Sequence, residues 1–329
     1  MKLSIIIPIY NVEKHVEKCV KSLLSNNLKN NEYEIIIVDD GSQDTSIIIV
    51  NELAKQFFNI KIISQKNKGL GGARNTGIQN SIGVYLLFLD SDDWYLPNTL
   101  KYLITLAENQ NLEVLEFAAQ GIAPSEKIIF HIQNSTKEKI LSGIEYYNSI
   151  RYLNSACNKL YNRSFLVHNN LFFLEKIYIE DFEFNTRVFL KAKRVMATDF
   201  LAIQFLQSEN SITRNKDHSK KEKVVTDFIK IIQITNDLYI KQQEPIDEPT
   251  KLFFEERISF LVITLFFQLM KYKLSYSKIK KIKAQLVSRG LFYIDFPIHD
   301  KKKDFFRKII IKNFVLIRFL QPLLKFINK

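Results

Sequence analysis

The chain has 329 residues, of which 46% are hydrophobic and 25% charged, with nine glycines and seven prolines. These proportions indicate a folded globular protein of one large or two ordinary domains, and they leave little room for low-complexity linkers. The net charge of +12 is concentrated at one end, because residues 271–329 carry 16 basic and 3 acidic side chains. Two cysteines exclude a disulfide framework and favour a reducing compartment.

The first hundred residues alternate between short apolar runs and amphipathic helical patterns. Buried strands are predicted at 3–10, 33–40, 60–65 and 84–90, and helices at 12–24, 46–58 and 73–82. This order predicts an α/β fold, with a parallel sheet covered by helices on both faces. Because ligands bind at the carboxyl ends of parallel strands, the acidic residues after the second and fourth strands should meet at one edge.

The pattern changes beyond the fourth strand. Residues 98–215 mix helices with short strands, and the rest is helical in pattern, with helices predicted at 224–239 and 250–272. We therefore predict a first domain over 1–216, in two halves of 1–100 and 101–216, and a helical C-terminal region over 217–329. The start of the chain lacks a signal-peptide pattern, and the most apolar later stretch, 258–270, is too short to span a bilayer.

The segment LFLDSDDW, at 87–94, ends the fourth predicted strand with three carboxylates in four positions. Like charges this close raise one another's pKa unless a cation lies among them. Carboxylates of Asp90, Asp92 and Asp93 suit Mg²⁺, which takes one or two protein carboxylates and completes its shell with substrate phosphates. A solvated turn that caps the next helix explains the same residues equally well. An EF-hand is excluded, because Tyr95 stands where its loop requires glycine.

Two further segments carry candidate chemistry. GLGGARNTG, at 69–77, has Arg74 where a dinucleotide-binding motif needs its third glycine, so a tight strand-to-helix connection is the simpler interpretation. Arg74 would still lie in the first helical turn, where it could meet a phosphate. Asp181, in the sequence IED, would lie in the first turn of a helix, a position that either stabilises the helix dipole or presents a general base. No Gly-x-Ser-x-Gly elbow, P-loop or metal-binding histidine spacing is present.

Five segments in this order resemble the large family of inverting, nucleotide-sugar-dependent glycosyltransferases with the GT-A fold, family 2. They are SIIIPIYNVEKHVEKCVKSLL at 4–24, EIIIVDDGSQDTS at 34–46, NKGLGGARNTGI at 67–78, GVYLLFLDSDDWYLPN at 83–98 and ED at 180–181. The resemblance is strong over about residues 1–100, moderate to about 215 and absent beyond. It implies a GT-A fold, a Rossmann-like and mostly parallel sheet flanked by helices, here with a helical C-terminal extension.

The resemblance also implies an activity. It would be transfer of a sugar from a nucleotide-sugar, by expectation a UDP-sugar, to a hydroxyl of a glycan or lipid-linked glycan during synthesis of a capsule, exopolysaccharide or lipopolysaccharide. A base and a cation are what such a reaction needs, because a sugar hydroxyl is a poor nucleophile and a nucleoside diphosphate a highly charged leaving group.

The family assigns roles to particular positions. Pro8 and Tyr10 would line the nucleotide base and ribose, Asp40 would contact the base, Arg74 would lie near the nucleotide or its phosphates, and Asp90 would face the ribose. Asp92 would bind a divalent metal, Mn²⁺ or Mg²⁺, on the diphosphate, Asp93 would share the metal or face the sugar, and Asp181 would be the catalytic base. Many relatives carry a basic residue before a Ser-Ile-Thr sequence where this chain has Gln207, so Arg214 would have to compensate.

The end of the chain, 300–329, is basic and amphipathic. One helical stripe carries Phe305, Ile309, Leu316, Leu320, Leu323 and Ile327. This pattern fits an interfacial helix on an anionic membrane, and equally a helix packed on the protein with a solvated lysine face. Nucleic-acid binding is not expected, because the basic residues are confined to a tail and no binding motif appears. We expect a cytoplasmic protein, peripheral on the cytoplasmic face of the cell membrane.

Two other functions remain open from the residues alone. A metal-dependent nucleotidyl or phosphoryl transferase would use the same acidic edge. A non-catalytic glycan- or nucleotide-binding subunit of a synthase complex would need a defective site, and the presence of both Asp92 and Asp181 argues against it.

Overall fold

The computed structural model describes residues 1–149, 154–208, 218–242 and 245–319. The chain divides into two compact units, Met1–Ser211 and Ile212–Lys329. The predicted boundary between 216 and 217 lies outside the described residues, so the division at that position stays a prediction.

The described part of the first unit is built on one sheet of nine strands. They are β1 (Leu3–Ile9), β2 (Tyr33–Asp39), β3 (Ile60–Ser64), β4 (Tyr85–Phe88), β5 (Trp94–Tyr95), β6 (Val114–Ile122), β7 (Ile128–Ile132), β8 (Lys159–Asn162) and β9 (Val195–Leu206). Their order is β3-β2-β1-β4-β8-β6-β9-β5, with β7 paired to β6. The first four are parallel, as predicted, whereas β8 runs antiparallel to both β4 and β6.

Seven described helices accompany this sheet. They are α1 (Val16–Leu24), α2 (Ser46–Gln56), α3 (Gly69–Gln79), α4 (Leu100–Asn109), α5 (Gly143–Ser149), α6 (Arg163–His168) and α7 (Glu180–Lys191). The spacing of apolar residues forms α1, because Val16, Val20 and Leu23 lie on one face and are all buried. Parallel strands and their helices thus follow from sequence periodicity in this half.

Two helices of the first unit begin elsewhere than predicted, and in the second unit the helix predicted at 224–239 begins six residues earlier, at His218. The α1 helix starts at Val16 rather than at residue 12, because Val12 N–H donates to Ser46 Oγ at 2.8 Å and Asn11 adopts a positive φ of 54°. The α3 helix starts at Gly69 rather than at residue 73, so the glycine-rich turn is itself helical. A Cβ at Gly71 would lie 2.3 Å from the carbonyl oxygen of Leu174, so only glycine permits this approach.

The parallel half of the sheet is largely apolar inside. Every residue of β1 is buried, as expected for a central parallel strand. An aromatic cluster joins the parallel half to α7: Phe173 stacks on Phe184 with ring centroids 3.8 Å apart, and Phe88 contacts both rings edge-on. This packing holds the first turns of α7 close to the carboxyl end of β4.

The described part of the second unit is helical. It contains α8 (His218–Ile240), α9 (Glu248–Lys271), α10 (Tyr276–Ser288) and α11 (Lys301–Phe306), the last continued by a π-helical turn, Arg307–Ile311. Asp247 caps α9 by accepting a hydrogen bond from Thr250 N, and Tyr239 of α8 stacks on Phe254 of α9. No helix among the described residues is both long enough and apolar enough to cross a membrane.

Candidate active site

One buried guanidinium joins the two acidic motifs of the sequence. Arg74, in the second turn of α3, is fully buried. Its Nη2 lies 2.7 Å from Oδ1 of Asp90, which follows β4, and its Nη1 lies 2.8 Å from Oε1 of Glu180 and 2.5 Å from Oδ1 of Asp181. The carboxylates that end the fourth strand and those that begin α7 therefore meet around one positive charge.

The cluster holds more negative than positive charge. Burial lowers the pKa of Arg74, but the charges of Asp181 and Asp90 raise it, and the pKa lies well above its ordinary value. Burial, and next the charge of Asp181, raise the pKa of Glu180 to about 8. Glu180 therefore keeps a proton near neutral pH, which leaves the guanidinium shared between Asp90 and Asp181.

Two hydrogen bonds, one to each carboxylate oxygen, orient the side chain of Asp181. Oδ1 accepts a hydrogen bond from Arg74, and Oδ2 accepts the backbone N–H of Ala156 at 3.0 Å. Burial raises the pKa of this carboxyl group, and the charge of Arg74 opposes that rise. The side chain is still 22% exposed, compared with 9% for Glu180. An oriented carboxylate that solvent can reach is able to take a proton from an approaching hydroxyl.

The acidic loop after β4 is folded back on itself. Asp93 N–H donates to the carbonyl oxygen of Asp90 at 3.0 Å, and Asp93 Oδ1 accepts the N–H of Leu206, at the end of β9, at 2.8 Å. Asp93 is buried, and burial, followed by the charges of Asp92 and Asp90, raises its pKa well above the ordinary value. Asp92 is only half-buried and is the more accessible of the two predicted metal ligands.

The donor set of this loop fits a hard divalent cation. Its acidic side chains offer carboxylate oxygen, and a cation would offset the burial of Asp93 and the charges of Asp92 and Asp90, which together raise the pKa of Asp93. Over the described ranges, no group of three or more His, Cys, Asp or Glu side chains could hold a metal by itself. A cation on Asp92 would therefore take its remaining ligands from a bound substrate.

The predicted nucleotide-binding residues lie at the carboxyl ends of β1 and β2. Tyr10, directly after β1, is 50% exposed, and Pro8 is buried within the strand. Asp40 is buried, and its carboxylate accepts hydrogen bonds from Gln65 Nε2 and from the backbone N–H groups of Lys68 and Gly69. Asp40 thereby fixes the start of α3, a structural role that the sequence did not indicate.

Several residues near the site escaped the sequence analysis. Glu180 belongs to the ED motif, but no role could be assigned to it from the sequence. No sequence motif marks Ala156, whose N–H binds Asp181, or Cys157, whose Sγ lies 3.8 Å from Arg74 Nη2. Lys159, a buried residue of β8, could have been noticed only as a charged residue at the start of a short strand-like run, KLY. Gln207 donates its N–H to the carbonyl oxygen of Ile122, and Arg214 lies outside the described residues.

A family model described as glycosyl transferase family 2 matches residues 4–180, more than half of the chain. The chain belongs to glycosyl transferase family 2. It is 33% identical over 217 residues to the uncharacterized glycosyltransferase EpsJ of Bacillus subtilis, an alignment that covers 64% of this chain and 62% of EpsJ. The chain thus spans about three fifths of the length of that relative.

Solved structures of other glycosyltransferases share the fold of this chain. Staphylococcus aureus TarS in complex with UDP-GlcNAc superposes with a TM-score of 0.57 at 20% identity, covering 89% of this chain and 90% of that one. The mannosyltransferase PcManGT of Pyrobaculum calidifontis, in complex with GDP-Man and Mn²⁺, gives 0.56 at 13% identity over 97% and 87% of the two chains. The predicted GT-A fold with a helical C-terminal part is confirmed.

Proposed function

We propose that this chain is a metal-dependent, inverting glycosyltransferase that moves a sugar from a UDP-sugar to a hydroxyl of a glycan or lipid-linked glycan. The observation that carries the proposal is the shared guanidinium of Arg74, which is bonded to Asp90 on the donor side and to Asp181 on the acceptor side. Membership of glycosyl transferase family 2 supports the reaction class.

In this proposal Asp181 is the general base. It takes the proton of the acceptor hydroxyl as that oxygen forms a bond to the anomeric carbon, on the face opposite the diphosphate. The bond from the anomeric carbon to the phosphate oxygen breaks, and the nucleoside diphosphate leaves with that electron pair. A single displacement inverts the anomeric configuration through an oxocarbenium-like transition state. Arg74 and the Ala156 N–H hold the carboxylate in one orientation throughout.

The donor would lie along the carboxyl ends of β1, β2 and β4. Tyr10 and Pro8 would contact the base and ribose, Asp40 the base, and Asp90 the ribose. Arg74 is buried among carboxylates, so its proposed effect on the phosphates is electrostatic. Asp92, with Asp93 as a second ligand or a contact to the sugar, would hold Mn²⁺ or Mg²⁺, which when bound neutralises charge on the departing diphosphate.

The relatives support a narrower substrate class. TarS was solved with UDP-GlcNAc, and its description is poly(ribitol-phosphate) beta-N-acetylglucosaminyltransferase. That relative is 27% identical over 198 residues, or 59% of this chain. We therefore propose UDP as the donor nucleotide and a cell-surface polymer or its lipid-linked precursor as the acceptor.

We also propose peripheral membrane contact through residues 300–329. In the described part of this segment, Arg307, Ile311 and Ile317 are buried, whereas a second apolar set faces solvent. That set is Phe305, Ile309, Val315, Leu316 and Phe319. Lys308 and Lys312 lie among these side chains and are themselves exposed, although each pairs with an aspartate, Asp304 and Asp295. Exposed apolar side chains beside lysines favour an anionic lipid surface. Residues 320–329, with the rest of the predicted stripe, lie outside the described residues.

The test is a panel of nucleotide-sugars incubated with the full chain in Mn²⁺, in Mg²⁺ and in EDTA. We expect release of UDP from one UDP-sugar, stimulated by a metal and by an acceptor such as a polyol-phosphate polymer. Release of nucleoside monophosphate or pyrophosphate would instead establish the nucleotidyl or phosphoryl transferase. Nucleotide binding without turnover of any donor would favour the binding subunit.

Replacement of the base separates catalysis from binding. We expect Asp181→Asn to lower kcat by about 10²–10⁴, because general-base catalysis contributes that much, while UDP affinity stays within a factor of a few. Isothermal titration with UDP and a UDP-release assay measure the two quantities. Wild-type turnover in Asp181→Asn would remove Asp181 from the mechanism.

A further inference from the structure

A lysine is buried in the sheet behind the candidate base. Lys159, the first residue of β8, is fully buried and lies 3.1 Å from the carboxylate of Glu116, its partner on β6. Taking two charges out of water is costly, and apolar side chains of similar size often serve stability as well or better. A buried pair at this place therefore calls for a reason other than stability.

Lys159 binds the segment that precedes it. Its ammonium group donates to the carbonyl oxygen of Ser155 at 2.8 Å and to Oδ1 of Asn158 at 2.9 Å. Three further hydrogen bonds hold the same segment. Asn185 Nδ2 donates to the carbonyl oxygen of Asn154, and Tyr95 Oη donates to that of Cys157. Asn158 Nδ2 donates to the carbonyl oxygen of Phe117. The backbone of 154–158 is thus fixed on both sides of Ala156.

This segment contacts the base directly. Ala156, between the two residues that Lys159 binds, donates its N–H to Oδ2 of Asp181 at 3.0 Å. The hydrogen bond fixes the second oxygen of the carboxylate, because Arg74 already binds the first. A shift of the segment by a fraction of an ångström would therefore turn the carboxylate or leave it with one donor.

The charge of Lys159 acts on the same carboxylate. The charged and titratable groups that face Asp181 are Arg74 of α3, Asp90 after β4, Glu180 of α7, Cys157 of the 154–158 segment, and Lys159 of β8. Burial raises the pKa of Asp181, Arg74 opposes the rise, Asp90 adds to it, and both the Ala156 hydrogen bond and the Lys159 charge oppose it. Burial lowers the pKa of Lys159, but the charges of Glu116 and Asp181 oppose that effect.

We propose that Lys159 is a positioning residue for Asp181. It pins the segment that donates the Ala156 N–H, and it places a second buried positive charge near the carboxylate. The consequence for turnover rests on the proposed function, in which Asp181 must be ionised to take a proton. The effect on the charge state of Asp181 does not depend on any substrate.

The first measurement therefore needs no turnover. The protein is labelled with ¹³Cγ-aspartate, the resonance of Asp181 is assigned by its loss in Asp181→Asn, and its midpoint is followed with pH. The double variant Lys159→Met with Glu116→Gln removes the lysine without leaving an unpaired buried carboxylate. If it does not fold, Lys159→Gln with Glu116→Gln takes its place, since two amides can still bond each other. Lys159→Arg is the conservative control.

We expect the midpoint of Asp181 to rise in the double variant, because the segment that donates the Ala156 N–H is loosened and a nearby positive charge is lost, and to stay near the wild-type value in Lys159→Arg. An unchanged midpoint in the double variant overturns the proposal. So does an equal rise in Leu103→Ala, a variant of the fully buried core of α4, because the effect would then follow from lost stability alone.

The second measurement is kcat and KM against pH with the donor found in the nucleotide-sugar panel. We expect kcat at pH 7 to fall about tenfold or more in the double variant, with KM for the donor within about twofold, and the acid limb of the kcat profile to move up with the midpoint. A wild-type protein that turns over no donor, yet shows the shifted midpoint, would refute the proposed function and leave the link between Lys159 and Asp181 intact. Turnover without a shifted midpoint would do the reverse.

Discussion

Arg74 is the cation among the carboxylates of this site. The sequence predicts that the close carboxylates of the acidic loop need positive charge, and it suggests a divalent metal. In the structure, a guanidinium from α3 already binds Asp90, together with Glu180 and Asp181 of α7. Burial, and next the charge of Asp181, raises the pKa of Glu180, so the guanidinium is shared chiefly between Asp90 and Asp181. A metal on Asp92 and Asp93 stays a proposal.

Glu180 makes the stability of the first unit depend on pH. Its pKa rises from an ordinary 4.5 to about 8 in the folded protein. The folded state therefore binds this proton more tightly than the unfolded state, and the resulting stability is complete below pH 4.5 and is lost as pH rises through about 8.

We expect Glu180→Gln to remove this dependence, because the amide resembles the protonated acid at every pH. The free energy of unfolding of the variant should increase relative to that of wild type from pH 5 to pH 8, so the variant becomes relatively more stable. Urea denaturation at several pH values measures this difference. A difference that is constant over this range would mean that Glu180 is ionised throughout.

At the scale of elements, α3 is held against the segment before α7. Asn75 exchanges two side-chain hydrogen bonds with the backbone of Phe173, and Gly71 approaches the carbonyl oxygen of Leu174 closely. Together with the aromatic packing of Phe173 on Phe184, these contacts set the distance from Arg74 to Asp181. The glycine residues at the start of α3 therefore allow the helix to pack closely against residues 173–174.

We expect Gly71→Ala to lower the free energy of unfolding by about 1–3 kcal/mol, because the new Cβ would lie 2.3 Å from a backbone oxygen and α3 or its neighbour must move. The same shift should reduce UDP release. Chemical denaturation and the release assay measure both effects. Gln79→Ala, on the exposed C-terminal end of α3, is the control and should stay within about 0.5 kcal/mol of wild type. A loss no larger than that in Gly71→Ala would show that the helix has room to adjust.

At the scale of the whole molecule, basic charge and exposed apolar side chains coincide in the C-terminal segment. Within residues 301–319, Arg307, Ile311 and Ile317 are buried, as expected for packing on the protein, while a second apolar set is exposed. Contact of that set with a membrane stays a proposal. Phe306 and Phe314 pack on Phe267 and Phe266 of α9, which anchors the segment within its own unit. The exposed stripe is what remains for a partner.

We expect the full chain to sediment with vesicles that contain phosphatidylglycerol and much less with phosphatidylcholine alone. Phe305→Ser with Phe319→Ser, which are 66% and 65% exposed, and separately Lys308→Gln with Lys312→Gln, should each weaken binding about tenfold or more. Phe58→Ser, 79% exposed in the first unit, is the matched control.

Equal sedimentation of wild type and all variants would refute the membrane surface. A size-exclusion profile that changes with concentration, and that the two phenylalanine variants abolish, would identify a second copy of the chain as the occupant instead.

The fold was predictable in the half where the sequence repeats a simple period. The order of β1 to β4, their parallel pairing and the position of acidic residues at their carboxyl ends all follow from apolar runs and helical spacing. The strand β8 has only four residues and begins with a buried lysine, so neither length nor hydrophobicity distinguishes it. The predicted starts of α1 and α3 were wrong because each start depends on a distant side chain that accepts a backbone N–H. Ser46 accepts that of Val12 before α1, and Asp40 accepts that of Lys68 before α3.

The site was predictable as a set of residue types and not as an arrangement. Asp90, Asp92, Asp181 and Arg74 could be named from their motifs, but which of them bind each other could not. Arg74 and Glu180 are 106 positions apart, and no local pattern encodes a contact over that distance. Lys159 is harder still, since it acts through the backbone of Ala156 and carries no motif of its own.

What the sequence by itself determined is the parallel α/β half with its acidic edge, the family and the basic C-terminal end, because periodicity, residue type and charge are local properties. What only the tertiary structure decided is the charge balance: Arg74 pairs with carboxylates, Glu180 carries the raised pKa, Asp40 fixes α3, and Lys159 lies behind the base. Burial and long-range pairing set these properties, because both depend on which elements pack together rather than on the residues beside each one in the chain.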